Sequence, residues 1–346
     1  MLRLLFCLSF FGLPTMTQAD NPNDGPIAIA IHGGAGTIRR ADMTPEREAA
    51  YRGTMEEALR AGHTILEQGG SSTDAVEATI RILEDSPLFN AGRGAVFTAE
   101  GRCELDASIM VGDQRTTGAI AGATTIKNPI SAARAVMEQT PHVLLAGPAA
   151  LQAFAEQAQL EQVDNSYFFT DARKKALEAM QQREQDAGAS ILGIGEGRED
   201  VAQPVNEKLG TVGCVALDKS GTLAAGTSTG GLTNKKFGRV GDSPLIGAGT
   251  WAENDVVAVS CTGQGEYFIR LQVASDIAAR MRYANAPFTD AVQAQMLRIG
   301  ELDALGGLVA MDAAGNVVYA FNTPGMYRGQ INTAGELTTG LYDDEN

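Results

Sequence analysis

The first apolar run of the chain differs from every later one. Arg3 precedes the run 4–13, and Pro14 and the triplet Thr17-Gln18-Ala19 follow it. A basic residue, an apolar run too short to span a bilayer and a small-x-small cleavage site are typical of a secretory signal peptide. We therefore predict removal of residues 1–19 and a periplasmic or secreted location. No later stretch is apolar enough to span a membrane, so we expect no membrane contact after removal.

The apolar periodicity up to residue 208 predicts helices in pairs and strands in short runs. Pro26–His32 is predicted as a buried strand that ends at the glycines of residues 33–36. Ser71 marks the start of a helix that carries Val76, Ile80 and Leu83 on one face. The remaining elements predicted here are a helix over 45–67, strands over 107–111 and 118–126, a helix over 130–137, and a polar stretch over 152–208 that begins as helix and ends as a loose connection from about 188.

The pattern changes abruptly at Leu209-Gly210-Thr211. Two hairpins follow, over 212–229 and 307–321, and both have the turn pattern Asp-x-x-Gly. A strand is predicted over 256–261, with a helix from Glu266 after it. We expect both hairpins to belong to one antiparallel sheet system. Because regular βαβ alternation is absent, the fold class predicted is layered α+β rather than a doubly wound parallel sheet.

Composition and charge exclude some classes of protein. With 44% apolar and 20% charged residues, the 346-residue chain is an ordinary globular protein. Its formal net charge of −15 and the lack of a basic stripe argue against nucleic-acid binding. Cys103, Cys214 and Cys261 are scattered through the chain after residue 19, which predicts no disulfide framework.

Several common catalytic sites are absent from the sequence. The three histidines have no metal-ligand spacing, there is no GxSxG motif, and the glycines 33–36 have the wrong spacing for dinucleotide binding. Threonine, serine and glycine are instead dense at predicted strand ends between residues 210 and 265. Each of these segments alone is ordinary turn chemistry.

Six motifs occur in order along the chain. They are Ile31-His32-Gly33-Gly34-Ala35-Gly36, Phe89-Asn90-Ala91-Gly92, Gly210-Thr211-Val212-Gly213, Thr227-Ser228-Thr229-Gly230-Gly231, Gly238-Arg239-Val240-Gly241-Asp242-Ser243-Pro244 and Cys261-Thr262-Gly263. In this combination the chain resembles the plant-type L-asparaginase / isoaspartyl peptidase family of N-terminal-nucleophile hydrolases. The resemblance runs from about Ile27 to near the C-terminus and leaves out the predicted signal and the polar stretch before Thr211.

The resemblance implies a single domain with an αββα four-layer sandwich. It implies self-cleavage between Gly210 and Thr211 into an α chain (20–210) and a β chain (211–346), and assembly of two such units into a heterotetramer. The implied reaction is hydrolysis of isoaspartyl dipeptides and L-asparagine, with release of L-aspartate.

The chemistry of threonine fits self-cleavage. A threonine hydroxyl is a weak nucleophile without a base, and no histidine is placed to serve. An N-terminal threonine carries its own base, because an α-amine has a pKa near 8. Cleavage before Thr211 would create that amine, and Gly210 permits the strained backbone that the attack requires.

Site roles follow from the resemblance. It implies that Thr229 orients the Thr211 hydroxyl, while Thr262 and the Gly263 N–H form the oxyanion hole. The resemblance also gives the substrate-binding and supporting positions, which are Arg239 for the α-carboxylate, Asp242 for the α-ammonium, Thr262, Gly263 and Gly265 near the substrate, and Asn90 and Gly34 as support.

The loop 83–93 resembles the sodium-binding loop of the family. The implied ligands are backbone carbonyls, those of Leu83, Glu84, Ser86, Phe89, Ala91 and Arg93. We expect no cofactor to be required, and at most a structural sodium ion. His32 is expected to support the glycine-rich turn.

Two other functions remain open at this point. One is glycosylasparaginase, which has the same fold and nucleophile but needs room for a sugar. The other is a periplasmic amino-acid binding protein that stays uncleaved and uses Arg239 and Asp242 to hold its ligand.

Overall fold

A computed structural model describes residues 25–186 and 210–345. The predicted signal peptide and the end of the predicted polar connection lie outside these described residues. None of the helices within them is long and apolar enough to cross a membrane.

Twelve strands of the described ranges form two sheets. They are Ala28–Gly36 (β1), Leu105–Val111 (β2), Thr117–Ala123 (β3), Leu144–Ala146 (β4), Val212–Leu217 (β5), Leu223–Thr229 (β6), Thr250–Glu253 (β7), Val257–Gly263 (β8), Gly306–Asp312 (β9), Val317–Phe321 (β10), Gly325–Ile331 (β11) and Leu337–Tyr342 (β12). The larger sheet has the order β12-β11-β1-β5-β6-β2-β3-β4, and the smaller one β10-β9-β8-β7. All pairings are antiparallel except β3 with β4.

Eight α-helices are present in the same ranges. They are Pro45–Glu67 (α1), Ser72–Asp85 (α2), Pro129–Gln139 (α3), Pro148–Gln157 (α4), Asp171–Asp186 (α5), Gly265–Leu271 (α6), Val273–Ala284 (α7) and Phe288–Gly300 (α8). The starts of α1 and α2 are fixed by capping side chains, because Thr44 and Ser71 each accept a backbone N–H three residues later.

Three apolar clusters show that the elements stack in four layers. One face of the larger sheet packs on α1, α2 and α3. Its other face packs on the smaller sheet, whose far side is covered by α7 and α8. Strand β1 shows the reason, because Ile29 and Ile31 join the helix-facing cluster while Ala28 and Ala30 join the cluster between the sheets. The predicted αββα sandwich is confirmed.

Several local predictions need correction. The two hairpins belong to different sheets, β5–β6 to the larger and β9–β10 to the smaller, so a single sheet system was wrong. The predicted helix from Glu266 is two helices, because Gln272 adopts a left-handed conformation between α6 and α7. The predicted turn at residues 33–36 is part of β1, which continues past an irregularity between His32 and Ala35.

Cys103, Cys214 and Cys261 are all free and buried. Within the described residues, the prediction of no disulfide framework is confirmed. Burial raises the pKa of the Cys103 thiol to about 12, so this cysteine behaves as a small core residue rather than a nucleophile.

Candidate active site

Thr211 directly precedes β5, a strand in the middle of the larger sheet. The register pairs Val212 with Ser228, so one step further along the ladder Thr211 lies opposite Thr229 at the end of β6. The Thr211 hydroxyl donates to the Thr229 hydroxyl over 3.1 Å. Both residues are buried. The structure therefore brings these two predicted site residues into direct contact.

The Gly210 carbonyl accepts two hydrogen bonds. Asn90 Nδ2 donates to it at 2.7 Å and the Thr229 hydroxyl at 3.3 Å. The Thr229 oxygen in turn accepts the Thr211 O–H and, at 3.0 Å, the Gly231 N–H. The single proton of Thr229 is thus free for the Gly210 carbonyl. The carbonyl before Thr211 is therefore held by two side-chain donors, Asn90 and Thr229.

His32 contacts the main chain of Thr211. Its Nδ1 lies 3.0 Å from the Thr211 carbonyl oxygen, and its Nε2 lies 2.9 Å from Ser260 Oγ. A carbonyl can only accept, so Nδ1 carries the proton and Nε2 accepts from Ser260. Burial lowers the pKa of His32 to about 3, which keeps the ring neutral. His32 holds Thr211 in place, and the expectation that it supports the glycine-rich turn was wrong.

A chain of buried hydroxyls continues from His32 between the two sheets. Ser260 Oγ lies 2.7 Å from Thr227 Oγ1, which lies 2.6 Å from Thr250 Oγ1. Ser108 Oγ lies 2.8 Å from Thr250 Oγ1. None of these hydroxyl contacts was predicted from the sequence motifs. The sequence signal for such a network is a polar residue at a position of an apolar strand that faces the other sheet. A polar side chain buried there is costly unless it has a hydrogen-bond partner.

Gly213 follows from the same network. A side chain at this position would overlap Ser260 Oγ and His32 Nε2. The glycine two residues after Thr211 is therefore needed so that the imidazole can reach past β5 to the smaller sheet. This gives a packing reason for the Gly-Thr-Val-Gly motif.

Two polar atoms of the predicted substrate-binding residues are buried without hydrogen-bond partners among the described residues. They are Thr262 Oγ1, near the end of β8, and Asp242 Oδ2. Burial raises the pKa of the Asp242 carboxyl to about 7, although the positive charge of Arg239 opposes the shift. Buried polar atoms normally find partners. A hydroxyl and a carboxylate oxygen left without them are suited to a ligand that brings a carbonyl oxygen and an ammonium group.

Arg239 is bound by Glu266, which lies outside the six sequence motifs. Glu266 takes the Nε and Nη2 edge of the guanidinium, at 2.8 and 2.9 Å. Arg239 was expected to pair with the carboxylate of a substrate. In the structure this edge of the guanidinium pairs with the carboxylate of Glu266. A side chain at Gly265 would lie 2.8 Å from Asp242 Oδ1 and 3.0 Å from Arg239 Nη2, so glycine keeps this corner open. Arg239, Asp242 and Gly265 are thus brought together.

The loop proposed to bind sodium begins later than predicted. Leu83 and Glu84 belong to the last turn of α2. The Glu84 carbonyl accepts the Arg93 N–H at 2.7 Å, which closes the loop. Four carbonyl oxygens of the implied ligand set accept no hydrogen bond from a described residue, those of Ser86, Phe89, Ala91 and Arg93. Free carbonyl oxygens in one loop fit a hard cation.

Glu84 also connects this loop to the site through its side chain. Its carboxyl accepts the Ser228 O–H at 2.6 Å and the Ile130 N–H at 2.9 Å. Ser228 precedes Thr229. Burial raises the pKa of Glu84 to about 8. Gly34, the remaining supporting position, has φ of 107° within the β1 irregularity, a conformation that favours glycine. The described residues contain no cluster of three metal-binding side chains.

Comparisons with known proteins agree with this fold. Residues 25–341 match the family model Asparaginase_2, described as Asparaginase. An isoaspartyl peptidase of Escherichia coli K12 is 46% identical over 93% of this chain and 98% of its own length. A probable isoaspartyl peptidase/L-asparaginase 2 of Arabidopsis thaliana is 40% identical over 92% of this chain and 100% of its own. A plant-type L-asparaginase of Pyrococcus furiosus is 41% identical over 87% and 94%, respectively.

Proposed function

This chain belongs to the asparaginase family matched above, a family of hydrolases, and from that premise we propose that it is a self-cleaving threonine amidohydrolase. Its substrates are isoaspartyl dipeptides and L-asparagine, from which it releases L-aspartate. One observation carries the proposal. The Thr211 hydroxyl bonds Thr229 at 3.1 Å directly after a glycine whose carbonyl is held by Asn90.

Self-cleavage is the first step of the proposed mechanism. The Thr211 hydroxyl oxygen attacks the Gly210 carbonyl carbon, the C–N bond breaks, and the nitrogen takes a proton to become the α-amine. Water then hydrolyses the resulting ester, which leaves a Gly210 carboxylate and restores the hydroxyl. Asn90 Nδ2 and the Thr229 hydroxyl stabilise the oxyanion, because both already donate to this carbonyl oxygen.

Substrate hydrolysis uses the freed amine as the base. The amine takes the Thr211 hydroxyl proton, and the oxygen attacks the side-chain amide carbon of the substrate. Thr262 Oγ1 and the Gly263 N–H donate to the oxyanion, the C–N bond breaks, and the leaving amine takes the proton. Water releases aspartate from the ester. The absence of any described partner for Thr262 Oγ1 and Asp242 Oδ2 supports this assignment of the aspartyl site.

Arg239 and Asp242 bind the two ends of the amino-acid group. Arg239 holds the α-carboxylate by charge-assisted hydrogen bonds and Asp242 holds the α-ammonium. Glu266 already binds one edge of the guanidinium. We infer that the substrate uses the remaining Nη1 side or displaces Glu266, whose side chain is half exposed.

The proposal extends to maturation and assembly. We propose a signal peptide over residues 1–19, a periplasmic or secreted location, chains 20–210 and 211–346, and a heterotetramer of two α and two β chains. Sodium, bound by the carbonyls of the loop that follows α2, would stabilise that loop, which contains Asn90. Four carbonyls without described donors support this site.

Chain number and activity test the proposal together. Purified protein should migrate as two chains, with masses that fit cleavage before Thr211 and loss of residues 1–19. Thr211→Ala should abolish cutting and hydrolysis of L-asparagine, because both steps need the same hydroxyl. A wild-type chain that stays whole on incubation would instead fit the amino-acid binding protein. Release of N-acetylglucosamine from a glycosylated asparagine would indicate glycosylasparaginase.

A further inference from the structure

A cavity of about 650 Å³ adjoins the Gly210 side of Thr211. Its wall includes Gly210, Asn90 and Gly231, the residues that surround the bond to be cut. It includes none of Arg239, Asp242, Thr262 or Gly265, the groups proposed to hold the aspartyl part of the substrate. The cavity therefore differs from the aspartyl site and reaches the residue directly before Thr211.

Three arginines from two helices line this cavity, Arg47 of α1 and Arg173 and Arg183 of α5. No described residue in its wall is acidic. None of the three arginines forms an ion pair with a described residue. For a chain with a net charge of −15, this is a local excess of positive charge. Three guanidinium groups without an acidic partner among the described residues favour an anionic ligand.

Arg173 is the deepest of the three charges. Its Nε donates to the Gly94 carbonyl at 2.8 Å, and no other hydrogen bond joins its guanidinium to a described residue. Burial lowers the pKa of Arg173, and the nearby positive charge of Arg47 adds to this effect. Arg47 and Arg183 are exposed at the rim. Arg173 is thus a half-buried charge with unused donors and no acidic partner among the described residues to offset its desolvation.

We propose that this cavity binds the free carboxylate of the amino acid that leaves when an isoaspartyl dipeptide is cut, with Arg173 as its main ligand. The inference rests on the proposed function. Hydrolysis divides the substrate at Thr211, and the aspartyl half is held by Arg239 and Asp242. The amine half must then lie on the other side of Thr211, where self-cleavage detaches Gly210 from Thr211.

The chemistry of the two proposed substrates makes this site a determinant of specificity. An isoaspartyl dipeptide releases an amino acid that carries a carboxylate, whereas L-asparagine releases ammonia. Only the dipeptide can use Arg173. Tyr51, Leu88 and Phe89 make part of the wall apolar, so a leaving residue with an apolar side chain fits best.

The test compares three substrates with four proteins. The substrates are β-aspartyl-leucine, the same dipeptide with a C-terminal amide, and L-asparagine. The proteins are wild type, Arg173→Gln, Arg173→Lys and the control Arg60→Gln, an exposed arginine of α1 outside the cavity wall. We expect Arg173→Gln to lower kcat/KM about tenfold or more for the free dipeptide, since a hydrogen bond to a charged group has that weight. The amidated dipeptide and L-asparagine should change less than about twofold, Arg173→Lys should retain most of the activity, and Arg60→Gln should match wild type.

Other outcomes overturn the inference. An equal loss for all three substrates would mean that Arg173 only supports the fold of the site. A second outcome would assign the cavity to the Gly210 carboxylate of the chain itself. In that case Arg173→Gln would not lower activity on the dipeptide. The substitution would lower the melting temperature of the cut protein, but not that of the uncut protein that also carries Thr211→Ala. If wild type hydrolyses none of the substrates, the proposed function fails instead, so the two failures are distinguishable.

Discussion

Asn90 allows self-cleavage to be tested separately from stability. Its Nδ2 donates to the Gly210 carbonyl and the Gly231 carbonyl, both at 2.7 Å, and its Oδ1 accepts the Val96 N–H at 2.9 Å. Asn90→Ala removes the shorter of the two bonds to the carbonyl that Thr211 is proposed to attack. Loss of one oxyanion donor costs about 3 kcal/mol of barrier, which corresponds to a rate lowered about 100-fold. We expect the first-order rate of chain cutting to fall by about that factor.

The chain offers a matched control in Asn165. Its amide also makes three hydrogen bonds between backbone segments, two from Nδ2 to the Cys103 and Thr124 carbonyls at 2.9 and 2.8 Å and one from the Cys103 N–H to Oδ1 at 3.0 Å. Asn165→Ala should therefore lose comparable stability but cut at the wild-type rate. The assay follows the uncut fraction by gel densitometry and intact mass during incubation, with melting temperatures measured in parallel. If Asn90→Ala cuts within about twofold of wild type, or if both variants slow equally, the assigned donor role is refuted.

Two further predictions concern pH. Asp242, whose pKa burial raises to about 7, must be ionised to bind the substrate ammonium, so KM for L-asparagine should rise as pH falls from 8 to 6. Asp242→Asn should remove that dependence, and a wild-type KM that stays constant over this range would contradict the assignment. Glu84 has a folded pKa of about 8 against an ordinary value of 4.5, so the unfolded state loses its proton first and stability falls as pH rises between these values. The free energy of unfolding in the uncut Thr211→Ala background, measured by urea titration, should be about 2.5 kcal/mol lower at pH 8.5 than at pH 6. Glu84→Gln should abolish most of this difference. An unchanged pH dependence of the unfolding free energy in that variant would show that other groups cause it.

Local elements could be predicted from the sequence where local chemistry decides them. The first helix begins at Pro45 and the second at Ser72, as expected, because Thr44 and Ser71 cap them. The break at Gln272 could not be read from the sequence, because glutamine has no preference for the left-handed conformation that it adopts there. The sheet that receives each hairpin also depends on distant strands, since β5 pairs with β1, about 180 residues earlier.

The site was predictable as a set of motifs but not as a set of contacts. The sequence motifs contain Arg239 and Asp242, yet the residue that binds Arg239 is Glu266, in a helix after the last motif. The arginine cavity has no motif at all, because Arg47 and Arg173 lie on separate helices that only the folded chain brings together. Electrostatic sites built from distant elements leave no local pattern in a single sequence.

Thr211 is proposed to attack two different carbonyls, and the structure gives each its own surroundings. The Gly210 carbonyl already has its donors, Asn90 and Thr229, as it must if the chain is to cut itself without help. The Thr262 hydroxyl instead has no described partner, as expected for a donor that waits for a substrate. Of Asn90, Thr229 and Thr262, Thr229 is the residue that contacts the Thr211 hydroxyl, the nucleophile of both steps. It follows that changes at Asn90 should act mainly on chain cutting and changes at Thr262 on turnover, whereas changes at Thr229 should impair both.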